Sequence, residues 1–131
     1  MSSRPLFVYG TLRHGYPNRY ARLLEHSARY LGTARIPGRL YRISWYPGVH
    51  VLKATEGTVN KDLVVGDLFR LRDPKMLATL DQYEGSNEYR RVAVTASLAD
   101  GTRSRCWVYE FIGGVLESQR VPSGDWFDVS D

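Results

Sequence analysis

Short apolar runs separated by polar punctuation set the plan of the chain. Leu6–Leu12 is an apolar opening run that predicts a first, largely buried strand. Pro17-Asn18 then opens a helical stretch over Arg19–Glu25, with Tyr20, Leu23 and Leu24 at helical spacing. Leu31–Ala34 and Leu40–Ile43 read as two strands separated by a turn at Pro37-Gly38. Tyr46-Pro47-Gly48 marks another turn, before a short strand over Val49–Leu52. Val64, Val65, Leu68, Phe69 and Leu71 predict a strand over Leu63–Leu71. Asp73-Pro74 starts the clearest helix, with an aspartate cap and proline at the first helical position. That helix runs to Glu84 and stops at Gly85, a C-terminal cap signal.

Glu88–Leu98 and Thr102–Ile112 predict two long strands joined by an Asp100-Gly101 hairpin turn. Along the second strand, Cys106, Val108 and Glu110 share one face, and Trp107, Tyr109 and Phe111 the other. The remaining segment is loop-like. Trp126 and Phe127 near its end predict that it packs back on the domain, because large apolar groups gain by leaving water. The sum is α+β: about six or seven strands with two short helices, arranged as a small mixed β-barrel or a strongly curved sheet. The pattern does not specify a strand order.

A chain of 131 residues with no repeat or Pro/Ser linker is read as one domain over 1–131. With 43% hydrophobic residues it can bury a core without disulfides. Cys106 is the only cysteine, which leaves no disulfide framework or thiolate metal site and fits a reducing, cytoplasmic setting. No secretory leader is visible, and no apolar run reaches the roughly 20 residues that span a bilayer, so no membrane partner is expected. The net charge of +4 comes largely from arginines scattered along the chain, including Arg90-Arg91, Arg103 and Arg105. A scattered surplus serves solubility more often than nucleic-acid binding, so no nucleic-acid partner is expected.

His14, His26 and His50 lack metal-ligand spacing and an acidic cluster, so no metal site is expected. There is no Gly-x-Ser-x-Gly elbow and no P-loop. Cys106 lies mid-strand and reads as a packed core thiol.

Two features stand out. At about 100° per residue from Leu77, Leu80 falls near −60° and Glu84 near −20°. Glu84 therefore lies inside the apolar arc, whereas Asp81 lies about 40° to the other side. A partly desolvated glutamate has a raised pKa, suited to taking and returning a proton. The same placement is also compatible with a structural ion pair to Arg90 or Arg91. The second feature is the loop Tyr9-Gly10-Thr11-Leu12-Arg13-His14-Gly15. Its backbone N–H groups at a strand end read either as an ordinary turn or as an anion or oxyanion cradle.

Taken together, these motifs resemble a known family. Tyr9-Gly10-Thr11-Leu12, followed by Arg13, Gly15, Pro17 and Asn18, is similar to the YG[ST]L loop of the gamma-glutamylcyclotransferase-like family, most closely its gamma-glutamylamine cyclotransferase branch. Leu80-Asp81-Gln82-Tyr83-Glu84-Gly85, with Tyr89 and Arg91 after it, resembles that family's LDxxEG…Y.R segment. Tyr46-Pro47-Gly48 matches a family turn, and Ser123-Gly124-Asp125-Trp126 is similar to the end of small bacterial members.

The resemblance implies a small barrel-like fold with one pocket for a small-molecule gamma-glutamyl substrate. It implies that Tyr9, Gly10, Thr11 and Leu12 cradle the gamma-glutamyl end, that Glu84 is the acid/base, and that Tyr89 lines the pocket. The implied reaction closes the gamma-glutamyl group to 5-oxoproline, releases an amine and needs no cofactor. The alternative is a non-catalytic member that binds a small molecule in the same pocket. Neither the leaving amine nor the oligomeric state is readable from these residues.

Overall fold

A computed structural model describes residues 4–10, 13, 19–52, 62–73, 75–84 and 88–128; within its elements, Arg19, Tyr20, Glu25, Tyr83, Glu84 and Asp128 are described by backbone only. The described elements run β1 (Leu6–Val8), α1 (Arg19–Ser27), β2 (Ala28–Arg42), β3 (Pro47–Val51), β4 (Leu63–Leu71), α2 (Met76–Glu84), β5 (Tyr89–Leu98), β6 (Arg103–Phe111) and β7 (Arg120–Val121). Short 3-10 turns cover Glu117–Gln119 and Trp126–Asp128.

Five strands close a barrel in the order β2-β4-β1-β6-β5, with β5 returning to β2 through Ala34–Leu98 and Arg35–Ser97. The β1–β6 pair is parallel and the other barrel pairs are antiparallel. β3 and β7 pair with the outer half of β2. This is the expected α+β barrel with two helices, and its closure leaves no open edge among the five strands.

β2 corrects the reading of its segment. Pro37-Gly38 is not a turn between two strands but lies within one strand of 15 residues. Up to Pro37 the strand pairs with β4, ending at Pro37–Leu63; from Gly38 onward it pairs with β3, starting at Gly38–Val51. A proline lacks the ladder N–H, and this changeover between partners is where that loss costs least. The Pro37 carbonyl still accepts from the Leu52 amide at 3.2 Å. A Cβ on Gly38 would sit 3.1 Å from the His50 carbonyl oxygen, so the strands approach closely there. Nearer the start of β2, the register slips between Tyr30 and Gly32, where Gly32 has φ +126°. Such a bulge adds local twist, as a tightly closed sheet requires.

The β1 alternation explains how both faces of the barrel are buried. Phe7 points to an inner core with Ile36, Leu68, Val94, Cys106 and Val108. Leu6 and Val8 point outward, to a second core with Leu24 of α1 and Met76 and Leu80 of α2. β6 alternates as its sequence predicts: Cys106 and Val108 face inward, while Trp107, Tyr109 and Phe111 join the outer core. The strand reading of Leu6–Leu12 needs shortening, because β1 ends at Val8. The C-terminal segment is also more ordered than a loop. It contributes β7 and inserts Trp126 into the inner core.

Candidate functional site

β1 delivers Tyr9 and Gly10 to one end of the barrel. Tyr9 is buried, and its hydroxyl donates to the Tyr109 carbonyl of β6 at 2.5 Å. A buried phenol needs such a partner. Gly10 faces Pro47: a Cβ built there would lie 2.6 Å from the Pro47 Cγ. Glycine is therefore required by close approach. The chain returns at Arg13, whose amide donates to the Gly10 carbonyl at 3.0 Å. Thr11 and Leu12, the other two cradle candidates, lie outside the described residues.

Pro47 is held from its other side by Tyr89. The buried Tyr89 hydroxyl donates to the Pro47 carbonyl at 2.6 Å, and its ring meets Phe111 edge-on at 5.6 Å. Tyr89 thus lies beside Pro47, which is the first residue of β3 rather than the middle of the turn that Tyr46-Pro47-Gly48 predicts. Beside it, the Tyr46 hydroxyl donates to Glu88 at 2.9 Å. That hydrogen bond, with burial and the Glu88 charge, pushes the Tyr46 phenol above its ordinary pKa.

α2 supplies the second half. The Asp73 carboxylate accepts from the Lys75 amide at 3.0 Å, the capping interaction its sequence predicts; Pro74 lies outside the described residues. Met76 and Leu80 bury one stripe of the helix and Leu77 packs at its margin. On the helical projection the Glu84 position falls between Leu80 and Leu77; its side chain lies outside the described residues.

One turn before Glu84, Asp81 accepts from the Tyr109 hydroxyl at 2.5 Å and lies 3.5 Å from the Arg91 Nε. Of the two arginines named as ion-pair candidates for Glu84, Arg91 pairs with Asp81 and Arg90 with Glu110 at 2.9 Å. Arg91 also lies 4.8 Å over the Trp107 ring.

Tyr109 therefore touches both halves of the site: its carbonyl receives Tyr9 and its hydroxyl holds Asp81. The sequence placed Asp81 beside the apolar arc and Tyr109 on one face of its strand, with nothing local to connect the two. Arg13 was named as part of the loop, but its anchoring role was not foreseen. Arg13 is 5% exposed, with its Nε 3.0 Å from Asp67 and an Nη 2.6 Å from Asp125. The Tyr30 hydroxyl adds a 3.0 Å bond to the other Asp67 oxygen. The place of Arg13 in the loop, five residues after the end of β1, was the available signal, but its carboxylates are remote in sequence.

Cys106 is fully buried, and burial pushes its thiol up to about 12. His50 shares a 3.0 Å hydrogen bond with the Gly113 carbonyl and stacks on Phe111. Among the described residues, no group of three or more His, Cys, Asp or Glu is arranged to hold a metal, and no helix is long and apolar enough to cross a membrane. A groove of about 240 Å³ between β2, β4 and β7 is lined by Arg35, Arg39, Asp62 and Arg120, away from Gly10. There, Arg39 and Arg120 hold the Asp62 carboxyl below its ordinary pKa, mainly through the Arg39 hydrogen bond.

This barrel, with a Tyr-Gly loop at the end of its first strand and a Leu-Asp-x-x-Glu-Gly helix end, is the fold of AIG2-like proteins. It superposes on the crystal structure of an AIG2-like protein from Mus musculus with a TM-score of 0.70 and 26% identity, over 89% of this chain and 82% of that one. An uncharacterized protein from Pyrococcus horikoshii matches with a TM-score of 0.67 and 26% identity, over 95% and 90%.

The chain belongs to the gamma-glutamyl cyclotransferase, AIG2-like family, whose model matches residues 6–128. It is 33% identical to a gamma-glutamylaminecyclotransferase from Bos taurus, over 95% of this chain and 75% of that protein. It is 30% identical to the gamma-glutamylcyclotransferase family protein YtfP from Escherichia coli, over 94% and 96%.

Proposed function

We propose that the protein is a gamma-glutamyl cyclotransferase that converts a gamma-glutamyl amine or gamma-glutamyl amino acid to 5-oxoproline and the free amine. The observation that carries this reading is the bridge made by Tyr109. Its carbonyl holds Tyr9 at the start of the loop, and its hydroxyl holds Asp81 one helical turn before Glu84. The two family motifs are thereby tied to a single residue, and membership of the family supplies the reaction class.

In this reading the substrate's own α-amine attacks its γ-carbonyl carbon. A C–N bond closes the five-membered lactam as the original amide C–N bond breaks. Nucleophile and electrophile share one molecule, so holding it folded removes much of the entropic barrier. Glu84 takes a proton from the attacking amine and returns one to the departing nitrogen, which balances the step without a cofactor. Backbone N–H groups of the Gly10–Leu12 loop hold the substrate and stabilise the developing oxyanion. The Tyr9 and Tyr89 hydroxyls donate to the Tyr109 and Pro47 carbonyls, so their part is to fix the loop and the start of β3 facing it.

The test is turnover of a panel of gamma-glutamyl amines and amino acids, reading 5-oxoproline and free amine together. Equimolar release is expected, and Glu84→Gln should lower kcat by roughly 10²–10⁴-fold while the thermal transition is retained. Unchanged turnover in that variant overturns the acid/base role. Saturable binding without turnover by the unmodified protein overturns the enzymatic reading in favour of a binding member of the family.

A further inference from the structure

The loop has two ends, and the second is held by a residue from the far end of the chain. Its entry is fixed by Tyr9 on the Tyr109 carbonyl and by Gly10 against Pro47. Its exit is Arg13, whose amide donates to the Gly10 carbonyl. The position of that amide depends on where the Arg13 side chain is anchored. The guanidinium meets Asp67 at 3.0 Å, Asp125 at 2.6 Å and the Phe127 ring at 3.9 Å from its centroid. Its side chain is 7% exposed, so few waters screen these contacts.

The carboxylates differ in character. Asp67 belongs to β4 and is buried there, with Tyr30 on its other oxygen. Asp125 comes from the C-terminal segment and joins two tasks. Its Oδ1 accepts from Arg13 and also from the Phe127 amide at 3.0 Å, which shapes the last 3-10 turn. The segment cannot drift from the barrel: Gly124 accepts from the Val65 amide at 2.8 Å, and Trp126 is buried in the inner core. A Cβ on Gly124 would lie 1.9 Å from the Leu63 carbonyl oxygen, and φ there is +71°. The segment is thus pressed directly onto β4 beside the arginine.

We infer that Asp125 is a positioning residue for the substrate site: through Arg13 it sets the bond that ties Arg13 back to Gly10 and thereby the position of Gly10 in that site. The functional half of this inference rests on the cyclotransferase reading; the loop-holding half stands on the geometry alone. Asp125 reaches the residue that closes the loop.

The experiment compares the full chain with Asp125→Ala, Asp125→Glu and a core control, Val94→Ala, which lowers stability within the barrel. Amide hydrogen exchange and steady-state kinetics are measured well below each melting temperature. In Asp125→Ala, exchange of the Arg13 amide is expected to rise about tenfold or more, with Leu68 and Val108 unchanged. KM for a gamma-glutamyl amine is expected to rise roughly tenfold with kcat within about threefold, the signature of weakened binding common to ground and transition states. Asp125→Glu should recover part of both effects, and Val94→Ala should produce neither.

Unchanged Arg13 exchange, or faster exchange with an unchanged KM, overturns the inference. If the unmodified protein turns over no gamma-glutamyl compound, the cyclotransferase reading falls. Arg13 exchange then decides by itself whether Asp125 holds the loop.

Discussion

The Tyr9 hydroxyl donates to the Tyr109 carbonyl at 2.5 Å, joining positions separated by 100 in sequence. The same Tyr109 donates its own hydroxyl to Asp81. Tyr109→Phe keeps the ring in the outer core and removes only that second bond. Asp81 is partly solvated, so the stability loss should be modest, about 1 kcal/mol. Activity should suffer more, with kcat falling roughly tenfold, because the turn of α2 before Glu84 loses its anchor. Thermal denaturation and initial rates on the same preparation separate the two effects. An unchanged kcat argues against the anchor.

Gly10→Ala tests the loop from its other side. The added Cβ would lie 2.6 and 2.9 Å from two ring carbons of Pro47. A proline ring cannot rotate away, and Tyr89 fixes its carbonyl. The loop must therefore move, at a cost of about 1–3 kcal/mol in stability and with a higher KM. Gly114→Ala is the matched control: its Cβ would meet nothing within 4 Å. Its stability should change by less than about 0.5 kcal/mol. Equal behaviour of the two variants would remove the steric argument.

The barrel was legible where local signals and burial agree. The β5–β6 hairpin has its Asp100-Gly101 turn, with Gly101 at φ +87°, and strict alternation along β6. α2 has its aspartate cap. β2 was not legible, because a Pro-Gly pair at a partner changeover has the same local chemistry as one in a turn. The closing β5–β2 contact and the parallel β1–β6 pair depend on long-range registers that no local pattern encodes. The site divides similarly. Tyr9, Gly10 and Tyr89 were named from motifs; the fold brings Gly10 and Tyr89 together on Pro47 and ties Tyr9 to Tyr109. Arg13 was visible as a loop residue, but not as the loop's anchor, since its partners lie 54 and 112 positions away.

Cys106 should behave as an inert thiol. It is fully exposed only when the barrel opens, and burial pushes its thiol up to about 12. At pH 8 the folded protein would then hold only about one thiolate in 10⁴ molecules. Labelling by a disulfide reagent at pH 8 is expected to be negligible in the native state and complete in denaturant. Its native rate should follow global unfolding as urea is added. Fast labelling under native conditions would show that the inner core opens locally.

Tyr30 makes the alkaline limb of stability a readout of the Arg13 network. Burial first, and then the Asp67 charge and hydrogen bond, raise its phenol above the ordinary value near 10, against opposing contributions from Thr33 and Arg13. A folded pKa above the unfolded one means that the protonated phenol is favoured in the native state. Its contribution is fully present below the unfolded pKa and is lost as pH rises from about 10 through the folded pKa. Ionisation would also place a second negative charge against Asp67, whose Oδ1 accepts the Tyr30 proton at 3.0 Å. Tyr30→Phe should therefore be less stable than the parent at pH 8, having lost a hydrogen bond to a charged group, yet decline less steeply above pH 10. Urea unfolding from pH 8 to 11 measures both limbs. Parallel curves for the two proteins would show that Tyr30 does not titrate against Asp67.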